Sequence, residues 1–546
     1  MTNYSAKILN NSIRSLNAQQ AIIANTSNNI ANVNTQGYSR RVVNLETASD
    51  RSMGSSGIKI GNGVQISSVQ RMASEFLTKM LQDAAGKSAS SSLQENYLAR
   101  IDKLFNLTGD GPSITKDLNG FFNALNDLTV NPSSIEARKV VIAKAQELVT
   151  SIGGTYEQLA AMQDEADRRI ATEIQQANAL LSQIAETNTL VTNIEQGNSG
   201  AEAADARDQR ERLLRSLAEK FSFQTVENND GSINVYLNNG FTLVSGANSY
   251  ALTVTNNPSF AGGAVPPSLS GGTLNYITYD YSGGLGTADF DLTQVLKDGE
   301  GSVGALLKVR GYNDPANISA FQADGSIVEV ASRIEALARD LLERFNTTYL
   351  GPDEDSGTAG FQPSALDLNG NTPPVYGFFD FAYSGAKDAN GNGLPDDLAS
   401  LPIDSFARLL TVRSTDPRAF AAARDQDSAN GSLALVAGNG DNVQALVGLG
   451  TASTTFSTGN YSFTGTYNDA YNETVAHVSA LKGSISSRAL LDRNQLLSAQ
   501  AQRDEVSAVS LDEEFANLIK FQKAYQASAR MIKVSEDLMD QILQLI

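Results

Sequence analysis

The chain has 546 residues, a formal charge of −19 and 41% apolar residues, with 44 Gly against 13 Pro and neither Cys nor Trp. That length holds about three or four domains, each able to bury a core. The missing cysteines exclude disulfides, thiolate zinc sites and a cysteine nucleophile, and the acidic balance argues against nucleic acid or an anionic membrane as partner. No run reaches the roughly 18 apolar residues that a spanning helix needs. Lys7 is not followed by the apolar stretch of a secretory signal, so any export is expected to use another route.

The first 45 residues contain ten Asn and no acidic residue; Lys7, Arg14, Arg40 and Arg41 give them +4. Leu9, Ile13, Leu16, Gln20, Ile23, Ser27 and Ile30 alternate spacings of four and three, which predicts a helix with a coiled-coil-type seam. The seam is thin, because Asn and Ser are middling helix formers and short amphipathic helices are marginal in water. The run from Asn29 to Arg41 should end this helix and turn the chain, since Asn and Gly favour left-handed backbone and side-chain-to-backbone hydrogen bonds.

Residues 54–66 read as a Gly-rich hairpin or extended connection. Helical spacing returns from Met72 to about Leu107, with Leu93, Tyr97, Ile101, Leu104 and Phe105 on one face. Asn131-Pro132-Ser133-Ser134 predicts the start of a helix reaching Gln196, with a kink expected at Gly153-Gly154. The mixed charges of Asp205-Ala-Arg-Asp-Gln-Arg-Glu-Arg open another helix and read as a solvated face with weak ion pairs. Near Phe221 the period becomes alternating, and 222–244 predicts a three-stranded meander. Short strands continue to about 310, a helix spans 327–348, and strands are expected around Val375–Tyr383 and Ala407–Arg413. A helical block from Asn468 to Arg503 leads into the last 36 residues.

That terminal stretch carries the strongest pattern in the chain. Leu511, Phe515, Leu518, Gln522, Tyr525, Ala529, Ile532, Glu536, Met539, Leu543 and Ile546 alternate spacings of four and three, nine of these eleven being apolar, with no Gly or Pro between. A helix roughly 50 Å long at ~1.5 Å per residue needs a partner along its length. Residues 504–546 hold eight acids and four bases, a net −4, so the two seams are oppositely charged and are expected to pair. The charge term helps orientation more than stability.

Candidate chemistry is sparse. His477 is the sole histidine, which excludes multi-histidine metal sites, and it reads as structural. Asp388, Asn390 and Asn392 match the first half of a calcium loop, but Ala399 stands where the bidentate Glu belongs, so an Asx-rich turn is the preferred reading over incidental calcium binding. Asp353-Glu354-Asp355 reads as solvated surface. No cofactor is expected and no catalytic constellation is found, so the chain is not expected to be an enzyme.

The turn and the far end carry a resemblance. Asn29-Ile30-Ala31-Asn32 followed by Thr35-x-Gly37-Tyr38 resembles the amino-terminal signature of the bacterial flagellar axial family of rod, hook and hook-associated proteins. Gly37-Tyr38-Ser39-Arg40 is similar to its hook-associated members. Ser510-Leu511-Asp512-Glu513-Glu514 and Gln522-Lys523-Ala524-Tyr525-Gln526-Ala527 resemble their carboxyl terminus. The likeness covers both ends and the helices to about 220; residues 240–460 match only in general plan. It implies a secreted subunit of the extracellular flagellum, exported without a cleaved signal and assembled as a homo-oligomeric ring at the hook–filament junction. The implied partners are the flagellar hook protein, a second hook–filament junction protein and a cytoplasmic export chaperone that recognises the carboxyl-terminal helix. A hook or distal-rod protein, or an axial protein with an adhesive outer domain, is the alternative.

The expected fold is α+β and multidomain. Residues 1–50 and 504–546 form a coiled-coil-like core segment, 51–220 and 465–503 a helical inner domain, and 221–464 a β-rich outer domain with the helix near 327–348. The expected assembly residues are the apolar seam positions Leu9, Ile13, Leu16, Ile23 and Ile30 with Leu511, Phe515, Leu518, Tyr525, Ile532, Met539, Leu543 and Ile546. The residues of the family signature are Asn29, Ile30, Ala31, Asn32, Thr35, Gly37 and Tyr38 at the turn, and Gln522 and Tyr525 in the last helix.

Overall fold

A computed structural model describes residues 2–48, 61–105, 113–197, 202–256, 268–280, 289–312, 324–351, 363–374, 377–382, 405–424 and 438–544. Helix α1 (Thr2–Ala31) leads through the Asn-rich turn into a hairpin of β1 (Arg41–Thr47) and β2 (Val64–Arg71), antiparallel with a bulge at Asn44/Leu45. Four helices follow: α2 (Glu75–Phe105), α3 (Ile114–Val130), α4 (Ile135–Gly197) and α5 (Ala204–Ala218). Helix α4, 63 residues and thus about 95 Å long, runs unbroken through Gly153-Gly154. The expected kink is absent; Gly153 instead admits the backbone of Ala407, whose carbonyl lies 3.4 Å from where a Cβ would sit. The α4 start also falls later than expected. Pro132 precedes the helix, and Ser134 Oγ accepts from the Ala137 amide at 3.2 Å.

The meander forms as β3 (Phe223–Glu227), β4 (Ile233–Leu237) and β5 (Thr242–Ser245), extended by β6 (Asn248–Ser249). A second sheet joins β7 (Leu252–Thr255), β8 (Tyr276–Asp280) and β9 (Asp289–Asp291). Next come α6 (Thr293–Asp298), α7 (Ser302–Arg310) and α8 (Ser326–Asp340), which continues through a π turn (Leu341–Phe345) into α9 (Asn346–Leu350). Four short strands pair antiparallel, β10 (Ala365–Leu366) with β13 (Ala423–Arg424) and β11 (Phe379–Phe381) with β12 (Leu410–Val412); α10 (Phe406–Leu409) precedes β12. The chain closes with α11 (Asp441–Leu449), the hairpin β14 (Thr454–Thr458) and β15 (Tyr461–Gly465), then α12 (Tyr467–Ser507) and α13 (Leu511–Gln544). Thr466 and Asp469 make a reciprocal capping box at the start of α12.

The architecture is α+β. The stretch 221–464 holds more helix than its Gly-rich sequence suggested: α6, α7, α10 and α11 accompany the expected helix. Short helices such as α7, bracketed by Gly301 and Gly311 at φ +96° and +91°, were hidden by glycines read as loop. One continuous hydrophobic core runs from Leu93 to Val478 and takes in α2–α5, the sheets and α12. Helix α4 is its spine, and its amide side chains pin the outer strands. Asn178 donates to the Leu252 carbonyl at 2.8 Å and accepts from the Leu252 amide at 2.9 Å. Asn188 does the same with Ile233 at 2.7 and 3.0 Å. No described residue of α1 or α13 belongs to this core. Among the described residues no helix is long and apolar enough to cross a membrane.

Candidate assembly interface

Helices α1 and α13 pack against each other. Ser15 Oγ meets Ser528 Oγ at 3.0 Å, while Arg40, just beyond α1, reaches Glu514 at the start of α13, so the pair is antiparallel. Its seam differs from the expected one. On α13 the inward face is centred on Glu514, Leu518, Phe521, Tyr525, Ser528, Ile532, Ser535 and Met539, with Asn517, Ala524 and the expected Ala529 half-buried beside it. Leu518, Tyr525, Ile532 and Met539 were expected and are half-buried; Leu511, Phe515 and Gln522 were expected and lie exposed. A heptad repeat read from one position in seven has two adjacent faces open to it, and the helix uses the other one.

On α1 the seam is shifted by one residue at Ser12, Ser15, Ile22, Thr26 and Asn29, with Ala18 two residues before the expected Gln20. Leu9, Leu16, Ile23 and Ile30 flank it half-buried, and Ile13 is exposed. Small side chains bring the helices close but bury little, and among the described side chains of α1 only Ala18 and Ile22 are buried apolar residues. The larger apolar residues are left outside. On α13 they form two exposed patches, Phe515 with Ile519, and Met531 with Val534 and Leu538, all 42–56% exposed. The side chains of Leu543 and Ile546 lie outside the described residues, as do Asp388, Asn390 and Asn392.

The turn after α1 is a hub of backbone-directed hydrogen bonds. Asn29, 1% exposed, donates to the Arg41 carbonyl at 3.0 Å and accepts from the Arg41 amide at 3.1 Å and the Tyr38 hydroxyl at 2.8 Å. Asn25 donates to the same carbonyl at 2.8 Å, Asn11 to the Gly61 carbonyl at 3.1 Å, and Asn32 to the Asn28 carbonyl at 3.0 Å. Thr35 Oγ1 donates to Asn32 Oδ1 at 3.2 Å. The Asn-rich composition thus fastens α1 to the turn and to the β1–β2 hairpin. Gly37 takes φ +77° with Arg212 Cγ 2.8 Å from where a Cβ would sit, so both backbone and packing require glycine. Ile30 is half-buried and Ala31, at the last position of α1, is exposed.

The helix expected to present solvated charges is the floor of this hub. Asp208 and Arg210 are each 2% exposed. Asp208 accepts from the Ser39 amide at 3.2 Å and from Arg71 at 2.8 Å; Arg71 also binds Glu202 and Glu211, both at 2.8 Å, and Arg41 pairs with Asp205. Burial works against the Arg71 charge, and Glu211, Glu202 and Asp208 together hold its pKa above the ordinary arginine value. Burial raises the Tyr38 hydroxyl, against the pull of Arg41, whose guanidinium lies 5.0 Å over the ring. Burial lowers the Arg210 pKa to about 10, with Arg207 adding repulsion; its guanidinium donates to Asn188 and the Gly231 carbonyl. Nothing in the charge pattern of 205–212 distinguished this floor from a surface; the partners of its acids come from 39–71 and those of Arg210 from 188 and 231, all outside that stretch.

The far end enters the same hub. The Arg40 amide donates to the Ser507 carbonyl at 2.8 Å, and its guanidinium binds Glu514 at 2.7 Å and Glu513 at 2.9 Å. Arg503 on α12 donates to Ser39 Oγ at 3.2 Å. The expected attraction between the oppositely charged ends is realised at Arg40. Beyond the hub α12 packs along α2, with Lys482 on Asp102 at 2.7 Å and Phe105 6.0 Å from Tyr471.

Catalytic candidates gain nothing. His477 Nε2 lies 3.4 Å from Glu329 Oε2, with no further histidine to work with. Among the described residues no group of three or more His, Cys, Asp or Glu could hold a metal.

Comparison with known proteins identifies the arrangement. A family model described as the flagellar hook-associated protein FlgK helical domain matches residues 98–360, and one described as the flagellar basal body rod FlgEFG protein C-terminal matches 500–545. Flagellar hook-associated protein 1 of Escherichia coli K12 is 25% identical over 99% of this chain and 100% of its own. The chain belongs to the flagellar hook-associated protein 1 family. The Salmonella typhimurium member is 26% identical, with the same coverage, and the Bacillus subtilis member is 26% identical over 97% of this chain and 96% of its own. The solved flagellar hook junction protein FlgK of Burkholderia pseudomallei shares the fold, with a TM-score of 0.56 at 15% identity over 79% of this chain and 100% of that one. Family members are structural flagellar proteins, in keeping with a site made of helix faces and a turn.

Proposed function

We propose that this chain is a structural subunit joining the bacterial flagellar hook to the filament, and that its paired terminal helices are the element that polymerises. The observation that carries this is the pair of exposed apolar patches on α13, beside a seam that already occupies its inner face. A helix apolar beyond the face its own chain covers needs a second partner. Sister copies in a ring supply it, the hook protein and a second junction protein lying below and above. With its thin seam and no share in the main core, the α1–α13 pair is marginal in a free chain and ordered by assembly.

In this reading 1–50 with 504–546 form the axial core segment, 51–220 with 465–503 the inner domain and 221–464 the outer domain. The long α2–α12 contact supports grouping 51–220 with 465–503, and the hub supports a direct link between that domain and the axial segment. The subunit is secreted without a cleaved signal, and the exposed face of α13 suits a cytoplasmic export chaperone before assembly. It is a non-catalytic component. Cells expressing a chain that lacks 511–546 are expected to build hooks and shed filament protein into the medium; filaments attached to hooks in such cells would overturn the proposal.

A further inference from the structure

Where the turn, α2, α5 and α12 meet, a cleft of about 200 Å³ is lined by Gly37, Arg212, Arg215 and Arg503, among others. Its charges are unevenly satisfied. The two acids in its wall are already committed, Glu211 to Arg71 at 2.8 Å and Asp504 to Arg503 at 3.3 Å. The guanidinium groups of Arg212 and Arg215 have no hydrogen-bond or ion-pair partner among the described residues, although those of the neighbouring Arg40, Arg41, Arg71 and Arg207 are all ion-paired. The two stand three residues apart on α5, a spacing that places like charges side by side and costs helix stability. The stem of Arg212 is held against Gly37, which fixes where its guanidinium can reach. In a chain of charge −19, two half-buried cations in one cleft, neither paired with the acids of its wall, form an incomplete site.

We propose that this cleft binds an oxyanion, the carboxylate or phosphate class, clamped between Arg212 and Arg215. Planar guanidiniums take such groups by paired charge-assisted hydrogen bonds. The oxyanion has two sources: a free dianion, or an Asp or Glu side chain of a second copy, which rests on the assembly proposed above. Because the cleft lies at the junction between the terminal helices and the body, its occupant bears on how the two are set.

The test uses the full-length chain and inorganic phosphate, titrated calorimetrically at constant ionic strength. Arg212→Gln with Arg215→Gln keeps the stem that packs on Gly37, and Arg418→Gln removes an exposed arginine elsewhere. The expected result is one saturable site, weakened about tenfold or more in the double variant and unchanged in R418Q. Absence of a saturable site, or equal binding by the double variant, overturns the proposal whether or not the chain assembles. Assembly then distinguishes the sources: phosphate slowing the wild type but not the double variant assigns the site to a neighbouring carboxylate, and assembly insensitive to both assigns it to a free dianion.

Discussion

Arg40 Nε lies 2.7 Å from Glu514 Oε1, joining positions 474 residues apart and closing the two ends of the chain on each other. The Glu514 side chain is only 3% exposed, so its carboxylate depends on this one cation. Arg40→Ala should cost the docking of α13 about 2–3 kcal/mol, because an unpaired buried charge costs more than the lost bond. Read as the critical concentration for assembly, that is roughly a 30- to 150-fold rise. Replacing both residues by Met should recover most of the loss; a single variant that assembles like the wild type would show the pair to be incidental.

Gly37→Ala should destabilise the body of the protein as well as the turn. The substitution places a Cβ 2.8 Å from Arg212 Cγ at φ +77°, and a cost of about 1–3 kcal/mol follows from the backbone alone. Denaturant unfolding checks it, and unchanged stability would mean that the turn can rearrange freely.

Asn29→Asp keeps shape and acceptors but removes the donor to the Arg41 carbonyl at 3.0 Å. In a position 1% exposed the loss should be about 1–3 kcal/mol. Tyr38→Phe, which removes one of the two bonds to Asn29 Oδ1 and leaves the Arg41 amide, should cost less. The reverse order in thermal melts of the assembled form would contradict the hub as described.

Phe515→Ser with Val534→Ser should leave the stability of the isolated chain within about 0.5 kcal/mol, since both side chains are about half exposed. Assembly should fail. Unfolding curves beside sedimentation of the same samples separate the two effects, and normal polymers from this variant would remove the patches from the interface.

Acid should weaken the body. Burial pushes the Glu173 carboxyl up, but hydrogen bonds from Lys220 and Ser302 outweigh it and hold the pKa below the ordinary value. For Glu195 the same burial is outweighed by Arg207 and the Ala203 amide. A carboxyl depressed in the folded state contributes stability above its unfolded pKa of about 4.3 and loses it as pH falls through the lower folded value. Glu173→Gln should therefore lower stability at pH 7 and flatten the decline below about pH 4; a decline as steep as the wild type's would assign it to other groups.

Much of this was legible in the chain, and the misses have physical causes. The two terminal helices followed from their heptad spacing, and their pairing from spacing and charge together. The face each uses did not, because an alternating spacing of three and four leaves two neighbouring faces open and the choice depends on the partner. On α1 the partner favoured Ser12, Ala18 and Thr26, small residues that a search for large apolar side chains passes over. The turn at Asn29–Tyr38 was recognisable as a turn; that its asparagines clamp the Arg41 carbonyl depends on contacts that spacing does not encode. Asp208 and Arg210 read as surface because mixed charge is usually solvated, and only the approach of Ser39, Arg41 and Arg71 to Asp208, and of Asn188 and the Gly231 carbonyl to Arg210, buries them.

In the proposed assembly the paired ends are completed only by other copies. Amide hydrogen exchange over residues 2–31 and 511–544, compared between the isolated full-length chain and its assembled polymer, tests it most directly. Exchange far faster than in α4 is expected before assembly, and slow exchange after it. Protection of both helices at the level of α4 in the isolated chain, unchanged on assembly, would contradict it.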